Sequence, residues 1–232
     1  ETKQAIINKL KKDHNLDYTL DKIVISNGAK HSLFNLAQAL IDEGDEVIIP
    51  SPYWVTYPEL VVYSGGVPVF IETDESTEFK ITAKQLKEKI TPKTKILMLN
   101  SPSNPTGSIY SKEELLAIGE VLKGTDIVVL SDEMYEKLIY KGKKFTATAE
   151  VSPDMYNRTV TINGLSKSVA MTGWRFGYVA CPNSALAKAM SKLQGQVTSN
   201  VNSMTQYAAI VALEGYADKD IEMMRVEFEK RK

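Results

Sequence analysis

The sequence predicts an α/β fold, a mostly parallel sheet of about seven strands with helices on both faces. Two observations predict it. Seven short runs are apolar almost without interruption, as strands buried on both faces are. Between them lie segments whose apolar residues recur at helical spacing, so strand and helix alternate along the chain.

Taken in order, residues 1–14 read as a helix with Ala5, Ile6 and Leu10 on its apolar face. The strand 22–26 runs into Asn27-Gly28, and Leu33, Leu36, Ala37 and Leu40 give 29–41 the helical spacing. A strand over 46–49 stops at Pro50, a helix over 54–63 stops at Gly65-Gly66, and 67–72 is again a strand. Thr82 is the N-cap of a helix over 82–90, followed by a strand over 95–99. Ser111 and Glu114 form a capping box that opens a helix reaching Leu122, and 126–130 is the next strand. Residues 135–157 read as looser, with a β-turn at Lys141-Gly142-Lys143. Strands follow at 158–162 and 176–180, then a long helix opened by Pro182, a helix over 203–214 and a helical run from Asp218.

Composition bounds the function. The 232 residues suffice for one large domain or two small ones. With 43% hydrophobic and 25% charged residues the chain has the make-up of a soluble globular protein. A formal net charge of −1 gives no sign of a nucleic-acid or membrane partner. No apolar run reaches membrane-spanning length, no signal-like N-terminus is present, and no metal-ligating pattern stands out. The single cysteine, Cys181, has no partner for an internal disulfide, which fits a reducing cytoplasm, and it reads as a small buried apolar residue. The chain starts in a helical pattern without a methionine and ends at Arg231-Lys232 inside another. It is therefore expected to be one domain, 1–232, taken from a longer protein.

On such a sheet, ligands bind at the carboxyl ends of the strands, and the polar outliers sit there. Ser26-Asn27-Gly28-Ala29-Lys30 is a glycine turn entering a helix, whose free N–H groups and positive dipole end suit an anion, although many strand–helix turns carry glycine. Pro50-Ser51-Pro52-Tyr53-Trp54 is held extended by its prolines; Trp54 can stack on a planar heterocycle or serve as core. Asn100-Ser101-Pro102-Ser103-Asn104-Pro105-Thr106-Gly107 is a dense run of turn formers that can present the Asn104 amide into a cleft. In Ser131-Asp132-Glu133-Met134-Tyr135 a carboxylate ends an apolar strand, which is costly unless it meets a cation or donors. Asp132 suits a protonated heterocyclic nitrogen, or the N-cap of the following turn, and Tyr135 lies on the same face three residues on. Last comes Ser166-Lys167-x-x-x-Met171-x-Gly173-x-Arg175. Its lysine is either a surface residue or an amine desolvated on a strand-end loop, as a Schiff-base nucleophile requires.

Together these motifs resemble the class I aminotransferases of fold type I, which depend on pyridoxal 5'-phosphate (PLP), and among them the bacterial aspartate aminotransferase subgroup. The resemblance spans essentially the whole chain in the family's order and spacing. It implies that Lys167 carries the cofactor as a Schiff base and then moves the proton at the substrate α-carbon. It implies that Asp132 keeps the pyridinium nitrogen protonated, and that Tyr135 and Asn104 bond the phenolic oxygen, Asn104 also touching the substrate carboxylate. Trp54 then stacks on the ring, while Gly28, Ala29, Lys30 and Arg175 hold the phosphate, Arg175 through its planar fork. The reaction implied transfers an amino group between aspartate and 2-oxoglutarate in a homodimeric enzyme. A PLP-dependent carbon–sulfur β-lyase and a nucleotide-binding α/β domain without PLP are the alternatives.

The resemblance also implies that 176–180 is the antiparallel exception. Parallel neighbours need a crossover of about a dozen residues or more, and the 13 residues of 163–175 are spent on the lysine loop. Two departures stand out. The family often has a serine or threonine three residues before the lysine, where this chain has Gly164; Ser166 is the candidate replacement. The family's N-terminal lid segment and its C-terminal small domain, with the arginine that clamps the substrate carboxylate, have no counterpart in these residues. The 232 residues are thus expected to bind cofactor with little turnover.

Overall fold

The computed structural model describes residues 1–231. Its strands are β1 (Ile23–Asn27), β2 (Glu46–Ser51), β3 (Val67–Glu72), β4 (Thr94–Asn100), β5 (Val128–Asp132), β6 (Thr159–Gly164) and β7 (Phe176–Ala180). Its helices are α1 (Thr2–His14), α2 (Ala29–Leu40), α3 (Thr56–Tyr63), α4 (Ala83–Lys89), α5 (Lys112–Leu122), α6 (Pro153–Arg158), α7 (Ser184–Val197), α8 (Ser203–Leu213) and α9 (Asp218–Lys230). The strands form one sheet in the order β1-β7-β6-β5-β4-β2-β3. From β6 to β3 every pair is parallel, and β7 runs antiparallel to both β6 and β1.

The apolar runs are continuous because both faces of the sheet are covered. Val47, Ile49, Ile96 and Met98 point into one core with Leu33, Leu36 and Val61 of α2 and α3. Ile48, Leu97 and Leu99 point into another with Leu115 and Ile118 of α5. Cys181 is fully buried in the first core, as a small apolar residue would be, and burial pushes its thiol up to about 11. No described helix is long and apolar enough to cross a membrane.

Several elements differ from the sequence reading: β2 does not stop at Pro50 but stays paired with β3 to Ser51, and β6 stays paired with β7 to Gly164. The segment 135–157 contains a 3₁₀ turn over Thr148–Glu150 and the start of α6, whose N-cap Ser152 accepts from Met155 N–H and whose first residue is Pro153. That Ser-Pro pair is a helix-start signal in its own right, and it moves Arg158 from the strand to the end of the helix. The long helix opens at Ser184, two residues after Pro182, because Asn183 Oδ1 accepts from Ala185 and Leu186 N–H at 2.9 and 3.1 Å. Strand β5 ends at Asp132, two residues beyond its expected end, since its pairing with β4 continues to Asn100 opposite Asp132. The helix placed at 54–63 starts at Thr56. The turn at Lys141-Gly142-Lys143 is present, with Lys143 N–H bonded to Tyr140 O and Gly142 at φ 85. In α9, Met223 is 61% exposed while Ile221 and Met224 are half-buried.

Charged groups fasten α1 to the segment after β5. Lys9 pairs with Glu136 and with Asp13, Lys137 pairs with Asp13, and His14 bridges Glu136 at 2.9 Å and Glu150 at 3.1 Å. Asp13, His14 and Glu136 stand close enough to ligate a metal, but Lys9 and Lys137 already balance their charge. Burial alone would push the His14 imidazole down, yet its bonds to Glu136 and Glu150 outweigh that and raise it to about 9. Because the folded value lies above the ordinary 6.5, this contribution is complete below that pH and is lost as pH rises through about 9. The denaturant midpoint is expected to fall between pH 6.5 and 9, and less so in His14→Gln. Glu136→Gln leaves the buried Lys9 with only its longer pairing to Asp13 (3.6 Å) and is expected to cost up to about 3–5 kcal/mol in urea unfolding. A midpoint flat across that range in the parent chain would refute the histidine's part.

Candidate active site

The ends of β4, β5 and β6, the start of α2 and the loop 165–175 surround a cleft of about 220 Å³. Sequence reasoning named most of its walls. Ala29, Lys30, Trp54 and Asn104 line one side, Asp132 and Tyr135 the floor, and Ser166, Lys167 and Arg175 the loop. Gly28 stands behind the guanidinium of Arg175.

At one end of the cleft the chain builds a cationic corner. Gly28, the N-cap of α2, has no side chain to cap the helix, so the first N–H groups remain free. Its backbone (φ 83, ψ 159) lies in a region open essentially to glycine alone. A β-carbon there would stand 2.4 Å from Arg175 Nη2. One added at Gly177 of β7 would stand 2.4 Å from Ala29 N, so β7 approaches the helix start as closely as glycine permits. Arg175 Nη1 donates to Thr172 O at 2.9 Å. Gly28→Ala is therefore expected to displace Arg175 and to cost about 1–3 kcal/mol of backbone strain. Urea unfolding reads the cost, and weakened binding of inorganic phosphate reads the displacement; a variant matching the parent in both would contradict this geometry.

Asp132 lines the same cleft and is only 4% exposed. Burial pushes its carboxyl up to about 6, opposed by a hydrogen bond from Tyr57 and one from Met134 N–H. Tyr57 Oη donates to Oδ2 at 2.8 Å, and Met134 N–H donates to Oδ1 at 3.3 Å. The cap-like local bond and the cleft-facing position thus coexist. Asn100 ties the floor together: its Nδ2 donates to Asp132 O at 3.0 Å, and its Oδ1 accepts from Asn104 N–H at 2.6 Å. Burial and then the Asp132 charge raise the Tyr135 hydroxyl, while the Asn104 side chain bonds it and lowers it.

Lys167 also lines the cleft, exposed rather than desolvated, on a loop closed by Met171 N–H to Leu165 O (3.1 Å) and Thr172 Oγ1 to Ser166 O (2.9 Å). Its amine lies 5.8 Å from the centroid of the Tyr135 ring. Trp54 is half-buried, with the Lys30 amine 4.8 Å over its ring and Tyr57 edge-on at 5.6 Å. Gly164 has no room for a side chain, since a β-carbon would meet Phe176 O at 2.6 Å. A serine or threonine at that position would have to push β6 from β7, whereas Ser166 already lines the cleft.

Sequence reasoning missed Tyr57, Asn100, Met134 and Thr172 as cleft residues. Asn100 had a signal, being the last residue of a strand parallel to the one ending at Asp132. Tyr57 had a weaker one, its place one helical turn after Trp54.

Residues 1–232 match the family model for class I and II aminotransferases. The chain belongs to that family. It is 53% identical over 229 residues to the aspartate aminotransferase of Geobacillus stearothermophilus, covering 99% of this chain and 58% of that protein. The crystal structure of the Rhizobium meliloti aspartate aminotransferase superposes with a TM-score of 0.96 at 44% identity, over 99% of this chain and 57% of that one. The Thermus thermophilus aspartate aminotransferase with maleate gives 0.94 at 39% identity, over 99% and 59%. The chain thus spans a little under three fifths of the length of these relatives.

Class I aminotransferases use PLP, and the donor set fits that group. PLP carries an anionic phosphate arm, a basic ring nitrogen, and a carbonyl para to that nitrogen, on the ring carbon next to the one bearing the arm. The cleft opposes these with Arg175 and free helix N–H groups, a buried carboxyl, and an amine. Among the described residues no ion pair engages Arg175, Lys30 or Lys167.

Proposed function

We propose that the cleft binds PLP and that this chain is the cofactor-binding domain of an enzyme moving an amino group between aspartate and 2-oxoglutarate. The observation that carries the reading is the three-part cleft: cationic corner, amine, and buried carboxyl. When bound, PLP supplies an electron sink for the electrons left when a proton leaves the substrate α-carbon. Arg175 and the N–H groups of Ala29 and Lys30 hold the phosphate by paired, charge-assisted bonds. Asp132 accepts from the ring N–H and keeps that proton on nitrogen, because an opposite charge in a dry site favours the charged form. Tyr135 and Asn104 donate to the phenolic oxygen, and the Trp54 indole orients the ring from one side. Lys167 Nζ would anchor the cofactor covalently and, once released, would be the base that moves the proton between the substrate α-carbon and the cofactor. Ser166 adds a hydroxyl to the phosphate side in place of the one Gly164 cannot carry.

An acidic substrate is favoured by charge. With Arg175 on phosphate and Lys167 at the reacting carbon, Lys30 is the remaining cation of the cleft wall. Its ammonium suits the second carboxylate of aspartate, and maleate in the Thermus thermophilus relative is likewise a dicarboxylate. In the homodimeric, cytoplasmic enzyme we propose, Lys30→Ala should raise KM for aspartate about tenfold while sparing an aromatic amino acid, the loss of one charged hydrogen bond. An equal loss for both substrates would sink the assignment.

The test of the whole reading is a titration of the 232-residue chain with PLP, followed by aspartate and 2-oxoglutarate. A visible absorbance band that shifts on adding aspartate, with little oxaloacetate formed, is expected. Absence of any band would overturn it.

A further inference from the structure

We infer that Tyr57 is a positioning residue for the reaction, its hydroxyl holding Asp132 in place and charged so that the ring nitrogen keeps its proton. The inference rests on the reading of Asp132 given above.

The geometry is specific. Tyr57 is 3% exposed, so water has little access to take the place of its hydroxyl, and the O–H to Oδ2 bond of 2.8 Å is the shorter of the two recorded to that carboxylate. The other, from Met134 N–H, is 3.3 Å long, and Asn100 grips only the backbone carbonyl of Asp132. The tyrosine is fixed in turn. Its N–H donates to Trp54 O at 3.0 Å, and its ring stands at 90° to the Trp54 indole. One side chain of α3 thus locks the stacking platform and the carboxylate together.

The electrostatics point the same way. The charged and titratable groups around Asp132 are Lys30 at the start of α2, Lys167 and Arg175 in the loop after β6, and Tyr135 on its own turn. None of the three cations is ion-paired with Asp132 among the described residues. Burial drives the carboxyl up, and the Tyr57 bond is the larger of the two effects that oppose it. Burial and then the Asp132 charge push the Tyr57 hydroxyl far above its usual range, so it remains a neutral donor. A bond donated to the charged form favours that form. Without it, a carboxyl already at about 6 climbs further. A protonated carboxyl there competes for the nitrogen's electron pair as a donor and no longer accepts from its N–H.

Tyr57→Phe keeps the ring packed against Trp54 and removes only the hydroxyl. In the chain without cofactor, carbon-13 NMR of labelled aspartate should show the Asp132 midpoint rising from about 6, by about one pH unit, a tenfold change in protonation ratio for one charged hydrogen bond. In the PLP-loaded chain, nitrogen-15 NMR of the labelled ring nitrogen should move toward its unprotonated position. A fluorinated tyrosine at position 57, a stronger donor of nearly the same shape, should move the Asp132 midpoint down, which keeps the test available if the phenylalanine variant folds poorly. Asp132→Asn, run in parallel, separates the two claims. A ring-nitrogen signal indifferent to Asp132→Asn would defeat the reading of Asp132 itself. A signal that responds to Asp132→Asn, with the Asp132 midpoint unmoved by both Tyr57 replacements, would defeat the role of Tyr57 alone.

Discussion

Lys167→Ala is expected to abolish covalent capture of PLP outright while leaving the fold unchanged. The loop that carries Lys167 is closed by bonds of Leu165, Ser166, Met171 and Thr172, and the lysine side chain takes part in none of them. Its amine makes only a distant approach to the Tyr135 ring, so truncation to alanine leaves no buried group stranded. Borohydride reduction of the PLP-loaded chain followed by peptide mapping should place the label on the peptide containing Lys167, and the variant should show none. A general base also contributes roughly 10²–10⁴-fold to a proton transfer, so exchange of the substrate α-proton with solvent should fall by at least that factor. Label recovered on another lysine would remove Lys167 from the mechanism.

Asp132→Asn should leave PLP bound and still slow the α-proton exchange by about 10- to 1,000-fold. The amide keeps the shape of the carboxyl and can still accept from Tyr57, so the cleft survives. What is lost is the negative charge beside the ring nitrogen, and an opposite charge at close range shifts a pKa by roughly 1–3 units. The pH profile offers a second check. The carboxyl stands at about 6 without cofactor, and a protonated ring nitrogen beside it would hold it lower, so its support should persist somewhat below that value in the loaded parent chain and be absent throughout in the variant. Exchange at the parental rate in Asp132→Asn would show that the charge is idle.

Much of this architecture was legible in the chain because both faces of the sheet are buried, which writes each strand as an apolar run and each gap as a helix. The antiparallel run of β7 was expected too, from the family resemblance, with the short connection before it in support. The errors fell where a polar cap outweighs the periodic pattern, at Ser152 before α6 and Asn183 before α7. In the cleft, Asp132 and Asn104 declared themselves, since such a residue shortly after an apolar run has no packing reason to be there, whereas Asn100, the last residue of β4, was missed. Tyr57 did not. Its aromatic ring satisfies the apolar pattern of α3, and only three-dimensional placement shows that its hydroxyl reaches Asp132. Gly164 was visible as a departure, but its reason, the carbonyl of Phe176 across the ladder, is a contact between strands.

β1 is an edge strand, and its partner in the sheet is β7, from Ile23 opposite Ala180 to Asn27 opposite Phe176. Of these elements α1, β1 and α2 are synthesised before the others, and the strand that accepts β1 is made among the last third of these residues. Until then Ile23, Val24 and Ile25 have no ladder to join, and closing so long a loop is slow. Nascent β1 is therefore open to mispairing and to chaperones until β7 is made. The anion corner, which needs Gly28 and Arg175 side by side, comes into being with that last insertion. The proposed phosphate grip is therefore expected to be incomplete until β7 has joined β1, and a cofactor that binds only the completed sheet would favour it by mass action.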